Sequence, residues 1–128
     1  MLICGATFVA RAYTVNVNYL KDLIKQAILH RGFALIDVLQ PCVTFYDTYK
    51  YYPPRLYNLQ DEKHDAGDWN AALSKAREWN YEGEEAKRIP IGIFYRAERP
   101  IYGDALRGDK DLLDRTAPQI GELLRRNT

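Results

Sequence analysis

Cys42 is the residue with the most chemistry to offer. It follows the run Phe33-Ala34-Leu35-Ile36-Asp37-Val38-Leu39-Gln40-Pro41 and precedes Val43-Thr44-Phe45. The run reads as a strand that stops at a proline, so the thiol falls in the loop beyond the strand's carboxyl end. In open parallel sheets that edge is where ligands bind. A thiolate there can hold a metal or an iron–sulfur cluster. Spacing alone favours the plainer reading, a small structural thiol, because unpaired cysteines are mostly buried and inert. Cys4 lies ahead of the first apolar run and reads as a small core or edge residue. A zinc site from Cys4, Cys42, His30 and His64 would have no recognised ligand spacing. His64, between Lys63 and Asp65, reads as solvated rather than as a general base. Arg11 and Asp37 each sit in an apolar run, and a charge in such a place usually has a partner. We expect them to pair across neighbouring strands, in preference to a phosphate contact by Arg11. Arg99 reads as an ion-pairing surface residue. Gly67-Asp68, Gly103-Asp104 and Gly108-Asp109 read as turns and a helix cap.

The elements that must position these residues follow from periodicity. Ala6 to Ala12 is short, apolar and partly β-branched, which predicts a strand. Asn16 or Asn18 can cap a helix whose Leu20, Leu23, Ile24, Ala27 and Ile28 form one stripe. Gly32 is a natural stop, with His30 and Arg31 suiting the negative helix end. Phe33 to Leu39 is nearly continuous apolar sequence, as expected for a strand covered on both faces. Strand, helix and strand make one parallel, right-handed βαβ unit. Pro41 to Leu59 reads as a long loop without regular structure, carrying Tyr46, Tyr49, Tyr51, Tyr52 and Tyr57. Loops of this kind are usually functional, and tyrosine is enriched at protein interfaces, so a contact between subunits is expected. Asp65 or Asp68 should cap a helix from Trp69 to Trp79. Tyr81 to Arg88 is charged and expected to be exposed. Ile89 to Tyr95 predicts another strand, with Pro90 at an edge or ahead of the ladder. Gly103 to Asp111 is polar, and Asp111 to Arg126 has helical spacing broken by Pro118. The strand runs predict Phe8, Val9, Leu35, Ile36, Val38, Ile91, Ile93 and Phe94 buried in one sheet, with the Leu20–Ile28 stripe packed on it.

Composition removes several function classes. The 128 residues amount to one domain at most, or to part of one, and 47% apolar content supplies a core. A net charge of +1, from 18 basic and 17 acidic residues, gives no electrostatic case for nucleic acid or a membrane surface. No apolar run reaches the roughly 18 residues of a spanning helix. Met1-Leu2-Ile3-Cys4-Gly5 lacks a basic start and a long apolar stretch, so no signal peptide is expected. Two cysteines without a secretion signal read as reduced thiols in a cytoplasmic protein.

Three segments together carry a family resemblance. They are Gly5-Ala6-Thr7-Phe8-Val9-Ala10-Arg11-Ala12, the run from Phe33 through Pro41-Cys42-Val43-Thr44-Phe45, and Ile89-Pro90-Ile91-Gly92-Ile93-Phe94-Tyr95. Over most of Gly5 to Pro100 the chain resembles the carboxyl-terminal portion of the β subunit of 2-oxoacid:ferredoxin oxidoreductases. The resemblance implies an α/β fold: residues 1–45 as the distal part of a thiamine-diphosphate-binding domain, its mostly parallel sheet flanked by helices, and residues 46–128 as the C-terminal extension of that subunit. It implies an enzyme that oxidatively decarboxylates a 2-oxoacid, such as pyruvate or 2-oxoglutarate, onto coenzyme A and passes electrons to ferredoxin. Thiamine diphosphate with Mg²⁺ and a [4Fe–4S] cluster are its cofactors, and the α subunit is among its partners.

By the same resemblance, Cys42 matches the position of the distant ligand of the [4Fe–4S] cluster. Its three companions would lie upstream, two of them in a Cys-x-x-Cys pair that this sequence does not contain. The Gly-Asp-Gly and Asn-Asn signature that binds Mg²⁺ and the diphosphate is also missing: none of the three Gly-Asp pairs continues to a glycine. The expected role is therefore one cluster ligand, sheet scaffold and contacts between subunits, with no activity and no bound cofactor in the isolated chain. The other reading that the strands and aromatic loop allow is a stand-alone α/β interaction module without catalysis.

Overall fold

A computed structural model describes residues 1–79, 88–101 and 104. The expected helix within Asp111–Arg126 and most of the Tyr81–Arg88 segment lie outside the described residues. The elements run β1 (Phe8–Tyr13), α1 (Val17–Leu29), β2 (Ala34–Leu39), α2 (Thr48–Tyr51), β3 (Leu56–Asn58), α3 (Trp69–Arg77) and β4 (Ile89–Arg96). One four-stranded sheet has the order β2-β1-β4-β3. β1 and β2 pair in parallel, with Phe8 opposite Ala34 and Arg11 opposite Asp37. β3 and β4 are also parallel, whereas β4 runs antiparallel to β1. The sheet is thus mixed α/β and mostly parallel, as expected, and the βαβ unit is present.

Alternation along β1 builds the two sides of the sheet. Phe8, Ala10 and Ala12 face α1 and meet Leu23, with Tyr19, Leu20 and Ala27 around them. Asn16 caps α1 by accepting the Tyr19 N–H. The helix presents a narrower face than its sequence stripe promised. Ile24 is 42% exposed and Ile28 76% exposed, because the line through Tyr19, Leu23 and Ala27 seats on the sheet and leaves those two on the flank. Val38 is likewise exposed, against expectation. Among the described residues β2 is an edge strand, paired to β1 and packed by α1, and its burial is partial along most of its length.

On the other side, Ala72 of α3 packs with Leu2, Leu59, Phe94 and Tyr95. Asp68 caps α3 and accepts from the N–H groups of Asn70 (2.8 Å) and Ala71 (3.1 Å). Pro90 lies inside β4, a strand with neighbours on both sides, contrary to the edge reading. It is tolerated because successive amides point to opposite sides of a strand. Ile89 N–H and Ile91 C=O bond towards β3, so the nitrogen of Pro90 faces β1. There the ladder begins only at Gly92.

The long loop is also more ordered than its composition implied. It contains α2, capped by Asp47, whose carboxylate accepts the Lys50 N–H, and the short strand β3. Tyr51 and Tyr52 turn inward against a cluster of Tyr13, Leu39 and Ile89. Tyr52 meets Tyr13 edge-on at 5.8 Å and Trp79 at 6.1 Å. Only Tyr46 and Tyr49 of the five tyrosines are mostly exposed.

Candidate functional site

β1 and β2, being parallel, end together at Tyr13 and Leu39. The chain leaves β2 through buried Pro41 and presents Cys42 on the surface, at the carboxyl edge of the parallel pair. The turn from Cys42 to Thr48 is closed by hydrogen bonds at one point. The Cys42 N–H donates to Thr48 Oγ1 at 2.6 Å, and Thr48 Oγ1 donates to the Cys42 carbonyl at 3.0 Å. The Thr48 N–H donates to the same carbonyl at 3.0 Å. Between the two, the Cys42 thiol donates to Thr44 Oγ1 at 3.5 Å.

This surrounding favours an anionic sulfur. Once the sulfur is deprotonated the Thr44 hydroxyl can turn and donate to it, and this bond, with those from the backbone N–H groups of Thr44 and Val43, lowers the Cys42 thiol below its ordinary value. A thiolate is what ligates a metal or cluster. Among the described residues no group of three His, Cys, Asp or Glu could hold a metal ion. The structure does not bring Cys4, His30 or His64 to Cys42. Cys4 is an exposed residue of the amino-terminal turn, not a core residue, and both cysteines are free thiols. His30 Nε2 bonds the buried Thr7 hydroxyl at 2.8 Å. His64 is not solvated: its Nε2 bonds the Phe94 carbonyl at 2.8 Å and ties the loop before α3 to β4.

The other charged residues are structural. Arg11 and Asp37, opposite each other in the parallel register, form an ion pair with Nε–Oδ2 of 2.7 Å. The Arg11 guanidinium also sits 5.0 Å from the Trp79 ring and 5.3 Å from Phe94. Both residues line a pocket of about 210 Å³ whose other walls include Leu2, Val9, Leu35 and Leu73. It is mainly apolar, and its Asp37 carboxylate is paired with Arg11. Arg99 approaches the Tyr95 hydroxyl at 3.4 Å. Sequence reasoning missed the Thr48 contact altogether. A threonine six residues from a cysteine carries no recognised spacing; the available signal was the Asp47-Thr48 helix start.

Residues 42–111 match the family model for the carboxyl-terminal part of the pyruvate ferredoxin oxidoreductase β subunit. The chain is 46% identical over 103 residues to the β subunit of 2-oxoacid:ferredoxin oxidoreductase 1 of Aeropyrum pernix, covering 71% of this chain and 30% of the relative. It is 43% identical over 116 residues to the β subunit of the 2-oxoacid:ferredoxin oxidoreductase of a Sulfolobus species, covering 82% of this chain and 37% of the relative. Its fold is similar to that of a solved 2-oxoglutarate:ferredoxin oxidoreductase from Magnetococcus marinus with 2-oxoglutarate, coenzyme A and succinyl-CoA bound. The TM-score is 0.70 at 26% identity, over 99% of this chain and 42% of that one. The chain thus spans about a third of the length of these two curated relatives. It belongs to the family defined by the carboxyl-terminal region of pyruvate ferredoxin oxidoreductase β subunits.

Proposed function

We propose that this chain serves as the carboxyl-terminal part of the β subunit of a 2-oxoacid:ferredoxin oxidoreductase, working only within the assembled enzyme. The observation that carries the reading is the exposed Cys42 thiol, at the carboxyl edge of the parallel strands, in surroundings that favour the thiolate. In this proposal Cys42 is one ligand of a [4Fe–4S] cluster whose other three thiolates come from an upstream segment. The reaction is the coenzyme A-dependent oxidative decarboxylation of a 2-oxoacid. When bound, thiamine diphosphate with Mg²⁺ supplies the electron sink for decarboxylation and the cluster a one-electron path to ferredoxin. The chain's own residues hold and orient. The βαβ unit sets the sheet edge, α2 and its tyrosines anchor the cysteine turn, and the surface left open meets the rest of the β subunit and the α subunit. The division between the thiamine-binding domain and the extension falls near Phe45. The setting is the cytoplasm; no described helix is long and apolar enough to cross a membrane.

The test is co-production of this chain with the α subunit and an upstream β segment carrying Cys-x-x-Cys, Gly-Asp-Gly and Asn-Asn. The assembly should reduce ferredoxin in the presence of pyruvate or 2-oxoglutarate and coenzyme A, and this chain alone should not. Replacing Cys42 by Ser should lower bound iron and abolish ferredoxin reduction. Equal iron in both would remove Cys42 from the ligand set.

A further inference from the structure

The two faces of the β1–β2 pair are finished to different degrees. On one face α1 lies against both strands, and Phe8, Ala10, Ala34 and Ile36 pack with its Leu23. On the other face α3 packs chiefly on β4. What remains over β1 and β2 there is the pocket of about 210 Å³. Its floor includes Val9, Arg11, Leu35 and Asp37, the residues that alternate with the set facing α1. Leu73 and Ala76 reach it from α3, and Met1 to Ile3 from the amino-terminal turn.

Parallel strands are ordinarily covered on both faces. Here Leu35 is only half-buried, and Asp37 still exposes 47% of its side chain. The Arg11 guanidinium is incomplete as well. Its Nε pairs with Asp37, but its Nη1 is buried and finds no acceptor among the described residues. Buried donors are nearly always paired, so this orphan needs a reason. The pocket is smaller than the roughly 300–1,000 Å³ usual for small-molecule sites. It suits apolar side chains reaching in from a neighbouring element.

The relatives supply that neighbour. The Magnetococcus marinus structure matches 99% of this chain with 42% of its own. The matching family model is the carboxyl-terminal part of the β subunit. In such a relative the rest of the subunit precedes the matched region, and it joins where Met1 stands here, beside the residues that line the pocket.

We propose that this pocket receives apolar side chains from the amino-terminal part of the β subunit, which lays an element across the open face of β1 and β2 and brings an oxygen to the Arg11 guanidinium. This rests on the reading of the chain as part of a β subunit. It adds the sheet face through which the two parts join.

The test is the full chain co-produced with the α subunit and the amino-terminal β segment of the Aeropyrum pernix enzyme, and isolated through a tag on this chain. Ala76→Phe fills the pocket, Leu73→Glu puts a carboxylate on its apolar wall, and Lys21→Glu alters the far side of the sheet, on α1. Wild type and Lys21→Glu should retain the β segment equally. Ala76→Phe and Leu73→Glu should each retain at least about 10-fold less, with the melting temperature of the isolated chain unchanged. Leu73→p-benzoylphenylalanine should cross-link to the β segment on illumination, and Lys21→p-benzoylphenylalanine should not. If a pocket variant melts early, the cross-link decides. If wild type retains the segment, both pocket variants do so within about 2-fold, and position 73 does not cross-link, the pocket is wrong and the β-subunit reading stands. If the cross-link from position 73 joins two copies of this chain, a second copy is the occupant and the proposal fails. If wild type retains no β segment, the proposal fails and the β-subunit reading fails with it.

Discussion

Tyr57 sits among four charged side chains. Its hydroxyl donates to Glu78 and accepts from Lys75 Nζ at 3.2 Å, while the Arg88 guanidinium stacks 3.8 Å from its ring. Glu62 completes the cluster, with Lys75 at 2.9 Å and an ion pair to Arg88. Burial, and then the Glu78 carboxylate, push the Tyr57 phenol up from 10.0 to about 12. Its folded form holds the proton more tightly, so its contribution is intact below pH 10 and disappears as the pH rises to about 12. Glu62 behaves in the opposite sense. Hydrogen bonds from Lys75, then Arg88, hold its carboxyl below 4.5, so its contribution is present above that value and lost as the pH falls. We therefore expect Tyr57→Phe to cost about 1 kcal/mol at neutral pH. Its alkaline loss of stability between pH 10 and 12 should be shallower than that of wild type. Glu62→Gln should flatten the acid limb instead. Urea denaturation across pH checks both, and variants that keep the wild-type slopes would show that the cluster is electrostatically idle. None of this was legible in the sequence, because the five residues come from β3, the loop after it, α3 and the approach to β4. Arg11 and Asp37, by contrast, could be paired from sequence alone, since each was the single charge in a run already read as a strand.

Elements with enough length to show a period were readable, and elements without it were not. α1 with its thirteen residues and the strands either side of it gave the βαβ unit. α2 has four residues and β3 three, too few for any period to appear, so the aromatic loop hid both. The antiparallel placement of β4 was invisible for another reason: it depends on pairing across about eighty residues, which no local pattern encodes. Gly32 was read as a stop, and the geometry shows what it stops. Its φ is +141°, and a Cβ there would lie 2.4 Å from Thr7 Oγ1 and 3.1 Å from His30 Nε2. Those two side chains are bonded to each other where α1 turns into β2. Gly32→Ala should therefore destabilise the protein by about 1–3 kcal/mol. Adding Thr7→Ala should recover the steric part of that loss and leave the backbone part. Chemical denaturation of the single and double variants would separate the two. A Gly32→Ala protein as stable as wild type would mean that the crossover turn bends freely.

At the scale of the whole molecule, the notable feature is an edge. β2 closes the sheet on one side, and along Ala34–Leu39 its outer backbone groups meet no strand of the described residues. Such an edge is a template for pairing with another chain unless it is short, charged or covered. Here the sequence does little to blunt it: Asp37 is the single charge on the strand and is committed to Arg11. Val38 on this strand and Phe33 just before it are exposed, and α1 exposes Ile24, Ile28 and Leu29. The tyrosines add less to this surface than their number implied, since Tyr51, Tyr52 and Tyr57 are turned partly inward. Apolar patches beyond a few hundred Å² on a monomer usually mark an interface. The isolated chain should therefore associate and bind a hydrophobic dye at micromolar concentration. Val38→Lys places a charge on the edge, which is how natural sheets prevent such pairing, so it should shift the chain towards monomer and weaken dye binding. Sedimentation velocity over a hundredfold concentration range reads the first effect and dye titration the second. The assembled enzyme gives the converse, since a lysine at position 38 should there impair joining to the upstream β segment. A chain that stays monomeric throughout, unfolds cooperatively and binds no dye would show that β2 is already a finished edge, and would favour a self-contained interaction module over a part that needs its complement.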